Sequence, residues 1–329
     1  MASNLDPAKI QIIESTMAKY PLDEFRKVSR LIDEQQIDLI HTHMTRGQNF
    51  GIGLKLITGT PVIATAHNRH LEFHWKFNDY VIANSKSTFD YHARYNRISA
   101  RRMKTIYCCP DYSRIADVQP HESNEIRNRL KLQPRDFLIG LVGEVAVRKG
   151  HIHLVRALPE ILRHVPSAKV MFVGRFGRQQ NHVRQIRKFI LQNGLAGRVK
   201  WMGRQSNVAP YMAASQVMVV PSIEEPLGLV AIESLMAGTP VVASDTGGLG
   251  EIIASEETGL LVPVGDEAKL AEQVIRLAHQ PGLREYLVAN GRQHVEETFS
   301  AAPLIDQVED VYHRVLKTAS GSATSRAAA

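Results

Sequence analysis

The residues between Pro221 and Pro240 have the types and spacings that could do chemistry. An apolar run, Val217–Val220, ends at Pro221, and a short loop with Glu224 and Glu225 follows. Gly228 then opens a helical pattern that Gly238 closes before the next apolar run at Pro240. The first N–H groups of a helix have no intrahelical partner, and here they belong to Gly228, Leu229 and Val230. With the positive end of the helix dipole, such groups bind phosphate, and Gly228 has no side chain to hold a ligand off. Glu233 falls in the second turn among Val230, Ile232, Leu235 and Met236, where a carboxylate needs partners. Ribose hydroxyls would supply two donors, while water or a nearby arginine would serve a glutamate taken alone.

A phosphate site of this kind sits where a strand, a loop and a helix start meet at the edge of an open α/β sheet. Short apolar runs alternate with amphipathic stretches along the chain. Candidate strands are Ile37–His41, Pro61–Thr65, Tyr80–Ala83, Lys104–Tyr107, Phe137–Gly143, Lys169–Gly174, Val199–Gly203, Gln216–Pro221, Pro240–Ser244 and Gly259–Val262. Helical patterns cover Lys9–Lys19, Phe25–Glu34, Ser87–Arg94, His153–Arg163, Gln180–Gln192, Leu229–Ala237 and Glu267–Leu277. Such alternation argues for an α/β protein with parallel sheets built from βαβ units. Nearly all-apolar strands suit sheets covered on both faces. The polar, proline-punctuated stretch after Pro110 marks the division of the chain. The expected units are a first domain over 1–118, a linker over 119–134, a second domain over 135–318 and a disordered tail over 319–329. The first domain reads as incomplete, because helical patterns precede its first strand and no glycine-rich turn opens it.

The 329 residues suffice for two domains, and a hydrophobic share of 44% allows each its own core. No apolar run approaches the roughly 18 residues of a membrane span, and the first residues lack a signal pattern. Cys108 and Cys109 are adjacent, which suits neither a disulfide nor a zinc site. These features read as a cytoplasmic protein without a structural metal. A net charge of +7 fits a polyanionic partner such as nucleotide phosphates or an anionic membrane, or a merely solubilising surface. Aromatics at 6%, not interleaved with basic residues, argue against nucleic acid.

The spacing Glu225-x7-Glu233, followed by Ala237-Gly238-Thr239-Pro240-Val241-Val242-Ala243 and by Gly247-Gly248, resembles the family 4 retaining glycosyltransferases of the GT-B fold. The resemblance implies two Rossmann-like domains whose parallel sheets face each other across a cleft. It implies a nucleotide-diphosphate sugar as donor substrate, no cofactor and no metal, and transfer with retention. Glu233 would bind the ribose, Glu225 would stand beside the donor sugar, and the N–H groups of Gly228, Leu229 and Val230 would hold the diphosphate. Gly143-Glu144-Val145-Ala146-Val147-Arg148-Lys149-Gly150 is similar to the family's Gly-Arg-x-x-x-x-Lys-Gly loop, whose Arg and Lys neutralise the leaving diphosphate. Lys149 takes the Lys position. Glu144 stands where the family has Arg, which leaves Arg148 as the neighbouring cation. Arg175, after the strand-end Gly174, would meet phosphate or base.

In the first half, Asp38-Leu39-Ile40-His41-Thr42-His43, Pro61 through His67 and Asn84-Ser85 resemble three strand-end regions of the same family. They imply sugar contact by His67 and an acceptor-side role for His43. His67, His70 and His74 have helical-looking spacing, but no carboxylate or cysteine completes a metal set with them. The chain departs from the family where Cys108-Cys109-Pro110-Asp111 replaces Asn-Gly-Val-Asp. It departs again where the opening strand and glycine-glycine loop would stand. Family resemblance implies an envelope glycan or lipid-linked saccharide as acceptor, met at the inner membrane face. The basic stretch Arg94, Arg97, Arg101, Arg102 and Lys104 could there touch anionic lipid, or simply be a solvated face. The shortened first domain and Glu144 also fit an alternative, a catalytically impaired nucleotide-sugar-binding protein or regulatory subunit.

Overall fold

A computed structural model describes residues 10–14, 22–112, 115 and 118–327. All ten expected strands form, with ends displaced by no more than three residues. Strands β1 (Ile40–His43), β2 (Val62–Ala66), β3 (Tyr80–Ala83) and β4 (Met103–Thr105) lie side by side in chain order, all parallel. Helices α1 (Leu22–Glu34), α2 (Met44–Thr58) and α3 (Lys86–Arg94) belong to this sheet. Ile10–Glu14, part of the expected helix Lys9–Lys19, has no regular structure, and the rest of that stretch lies outside the described residues.

The second sheet holds β5 (Phe137–Val142), β6 (Ala168–Val173), β7 (Val199–Trp201), β8 (Val217–Val220), β9 (Val241–Ser244) and β10 (Leu260–Val262). Its order is β10-β9-β8-β5-β6-β7, again parallel throughout. The chain lays down β5, β6 and β7 outward, then returns to the far side of β5 with β8. Loops leaving the carboxyl ends of β5 and β8 therefore diverge, and a crevice opens between them. Those loops carry Lys149 and Glu225.

Both faces of this sheet are covered. Val217 and Val219 of β8 pack in one buried cluster with Leu154 and Leu158 of α5 (His151–His164) and Ile186 of α6 (Gln180–Gln192). Met218 and Val220 point the other way, into a cluster with Ile232 and Leu235 of α8 (Leu229–Met236) and Val295 of α11 (Pro281–Thr298). Each such side chain contributes about 1.5–3 kcal/mol on burial, so β8 is a rigid floor under the loop that follows it.

The structure differs from the sequence expectation in three places. The stretch expected to be a linker contains α4 (Pro120–Arg129), whose first turn closes when Glu122 accepts the Gln119 N–H at 2.9 Å. Its Ile126 and Leu130 pack on Tyr211 and Val208, at α7 (Ala209–Ala213), so the segment is part of the second lobe. Of the expected disordered tail, residues 319–327 are helical, the end of α12 (Ala301–Ala327), and residues 328–329 lie outside the described residues. Finally, α12 leaves the second lobe, and its Leu304, Val311 and Val315 pack on Ile63, Tyr80 and Ile82 of the first sheet. Two shorter helices, α9 (Leu249–Ile252) and α10 (Glu267–His279), complete the second lobe. Among the described residues no helix is long and apolar enough to cross a membrane.

Candidate active site

The second lobe forms one wall of the cleft. Gly150 has φ +65°, and a Cβ there would fall on the Pro221 carbonyl, so the loop after β5 touches the end of β8. This approach sets Lys149 beside Glu225, with Nζ and Oε2 2.5 Å apart and side chains only 14% and 10% exposed. Ser222 donates to the same carboxylate oxygen at 3.2 Å. Behind it, Gly248 donates its N–H to the Glu225 carbonyl at 3.0 Å. Gly247, at φ +58°, leaves room for that same carbonyl. Glu225 is thus held at both its backbone and its carboxylate.

Gly228, at φ +109°, turns the chain into α8, and no side chain caps the helix start. Gly228, Leu229 and Val230 line the cleft at this helix start, where backbone N–H groups have no intrahelical acceptor. Glu233 lies one turn further along α8. Burial pushes its carboxyl up to about 7, against the opposing pull of the Lys149 charge. The charge of Lys149 therefore reaches Glu233.

The first lobe supplies the facing wall through His67, at the end of β2. His67 Nε2 lies 3.0 Å from His43 Nδ1, and the two rings stack. His41 bonds to Tyr312 Oη at 2.6 Å and to Thr65 Oγ1 at 2.7 Å. Burial lowers the pKa of all three histidines, that of His41 to about 4 with help from its two neighbours. At neutral pH the trio is uncharged, so His67 can exchange hydrogen bonds with a sugar hydroxyl without adding a cation. The cleft between the walls has a volume of about 560 Å³.

Of the residues singled out in the sequence, Lys149, Arg148, Glu225, Gly228, Leu229, Val230 and His67 all line this cleft. His43 and Glu233 are not among the lining residues, but His43 bonds to the lining His67 and Glu233 feels the charge of the lining Lys149. Glu144 is paired with Arg175 at 2.7 Å, so the acid in the arginine position is neutralised. His74 turns to Gln48 and Glu72, away from His67. Among the described residues no group of three or more His, Cys, Asp or Glu could hold a metal ion. Sequence reasoning missed Arg69, whose Nε lies 3.4 Å from Glu224 Oε1 across the cleft. Its only signal was a basic residue two places after His67.

The chain matches the family profile of glycosyl transferases group 1 over residues 122–294 and that of glycosyltransferase family 4 over residues 7–114. It belongs to the group 1 glycosyl transferases. Like it is an uncharacterized glycosyltransferase of Methanocaldococcus jannaschii, 27% identical over 90% of this chain and 80% of that one. A GDP-mannose-dependent monoacylated phosphatidylinositol monomannoside mannosyltransferase of Corynebacterium glutamicum is 28% identical over 68% and 57%. Anabaena HepE, solved in complex with UDP-glucose, superposes with a TM-score of 0.81 at 22% identity, over 90% of this chain and 84% of that one. The two-lobed fold of this group 1 glycosyltransferase is accordingly GT-B, with one parallel sheet in each lobe.

Proposed function

We propose that the protein transfers a sugar, with retention of anomeric configuration, from a nucleotide-diphosphate sugar to an envelope glycan or lipid-linked saccharide. The observation that carries this reading is the single wall on which Lys149, Glu225 and the bare start of α8 meet, with Glu233 behind it. The diphosphate would lie on the N–H groups of Gly228, Leu229 and Val230. Lys149, with Arg148 at the rim, would offset the charge that grows on it as the glycosidic bond breaks. Groups already in place do this without reorganisation. Glu233 would receive the ribose hydroxyls, Glu225 would orient the donor sugar, and His67, braced by His43, would contact a sugar hydroxyl. Attack from the face that the diphosphate leaves would keep the configuration. In support of a catalytic protein over an impaired one, the Arg175–Glu144 pair gives the acid at the arginine position a cation.

A cytoplasmic setting against an anionic membrane suits such an acceptor. In support, Leu71 and Phe73 are each 72% exposed, Lys76 lies over the Phe73 ring, and Arg102 bonds to the Lys76 carbonyl at 2.8 Å. Apolar tips among cations fit an anionic lipid surface. The reading is tested by incubating the protein with UDP- and GDP-sugars and following melting temperature and donor hydrolysis. A flat response to the whole panel would reject it. Salt-sensitive co-sedimentation with phosphatidylglycerol vesicles tests the membrane contact separately.

A further inference from the structure

Beside the sugar cleft, the lobes touch through bonds that the transfer chemistry does not use, and these converge on the start of α3. Glu251, on α9 of the second lobe, accepts the Lys86 N–H at 2.7 Å through Oε2 and the Ser87 N–H at 2.8 Å through Oε1. Both N–H groups lie in the first turn, where a helix offers no internal acceptor and a carboxylate meets the positive end of the dipole. Tyr107 of the first lobe donates to Glu251 Oε2 at 3.1 Å. Ser85, the N-cap, accepts the Thr88 N–H and donates its own hydrogen to the Pro226 carbonyl at 2.6 Å. Pro226 is two residues from Gly228, where the phosphate-facing helix begins. Arg69 completes the line: Nη1 donates to Ser87 Oγ at 3.0 Å, and Nε lies against Glu224 in the cleft wall.

We propose that Glu251 is a positioning residue for the transfer. By capping α3 from the opposite lobe, it sets the separation at which His67 faces Lys149 and the α8 N–H groups. The inference rests on the transfer function proposed above. Glu251 lines no part of the cleft and acts through α3, Ser85 and the Pro226–Gly228 loop. Water can take over each of these bonds when the lobes part, so their net worth is modest and the contact can be made and broken. A cleft that must admit a donor and release a nucleotide needs such a reversible closure.

The test compares the whole protein with Glu251→Ala and Glu251→Gln. UDP and GDP serve as binding probes, UDP- and GDP-sugars as donors, and small-angle scattering reads the separation of the lobes. Glu251→Ala should give a larger radius of gyration and a kcat lower by about tenfold or more, since the three charge-assisted bonds from Lys86, Ser87 and Tyr107 are lost. Nucleotide affinity should stay within about twofold, because the nucleotide wall lies wholly on the second lobe. Glu251→Gln keeps one carbonyl acceptor and should fall between the two. Wild-type scattering and kcat in Glu251→Ala would overturn the proposal, as would a kcat loss matched by an equal loss of nucleotide affinity. If no nucleotide binds to any variant, the transfer reading fails instead, while the scattering comparison still decides whether Glu251 holds the lobes together.

Discussion

Glu233 offers a measurement in which stability and binding move in opposite directions. An ordinary glutamate ionises at 4.5, and burial on α8 pushes this one up to about 7. The unfolded chain thus releases its proton at lower pH than the folded one. Between those values the folded state binds more protons, so stability falls as pH rises through the window and the full loss is present at pH 8. A shift of this size corresponds to about 3 kcal/mol, an upper bound because solvent screening reduces it. Glu233→Gln, which never ionises, should therefore stabilise the nucleotide-free protein at pH 8 and leave it nearly unchanged at pH 4.5. Urea denaturation at the two pH values reads the difference. The same substitution removes the anionic acceptor of two ribose hydroxyls, so UDP or GDP affinity at pH 8 should fall about tenfold or more. Wild-type affinity should also weaken as pH drops below 7, and the variant should lose that dependence. Equal stability gains at both pH values would show that burial of the charge is not the cause. Unchanged affinity at pH 8 would refute the ribose role.

Four other outcomes follow from the structure. Lys149→Ala strands the buried Glu225 carboxylate and should cost about 3 kcal/mol in urea denaturation, most of it restored in Lys149→Ala/Glu225→Gln; simple additivity would contradict the pairing. Gly150→Ala, with φ +65° and the Pro221 carbonyl where the Cβ must go, should destabilise by more than about 2 kcal/mol. Gly59→Ala, at φ +78° in open space, should cost only about 1 kcal/mol by the same assay. Burial lowers the pKa of His92 to about 4 and of His151 to about 3, against 6.5 when unfolded. Their contribution is whole above 6.5 and is lost as pH falls toward those values, so thermal melts should drop steeply below pH 6 and less so in His92→Gln.

The second lobe was the legible half because most of its strands are short, largely apolar runs that end at glycine or proline, and most of its chemistry sits in one continuous segment. Val217–Val220, Gly228 and Glu233 could be placed by spacing alone. Helix α2 escaped notice because Gly47, Gly51 and Gly53 spoil its helical propensity. The structure gives two of them a use, since a Cβ at Gly51 would strike Thr42 of β1 and one at Gly53 would strike Phe25 of α1. Helix α4 was hidden by its polar composition: none of its residues is fully buried, and Gln119 is an uncommon cap. The His43–His67 contact and the Arg69–Glu224 pair join residues far apart in the chain, and no local pattern announces either. In the first lobe the strand-end motifs carried the reading, and the return of α12 to this sheet left no trace in them.

That return sets an order of events during synthesis. Ile63, Tyr80 and Ile82 leave the ribosome early, yet the side chains that cover them, Leu304, Val311 and Val315, come more than 200 residues later. At about 5–20 residues per second, the apolar face stays bare for roughly 10–50 s, during which the second lobe can already be complete. The half made first is finished last, and a nascent chain stalled before Leu304 would offer that face to chaperones or to other unfinished copies of itself.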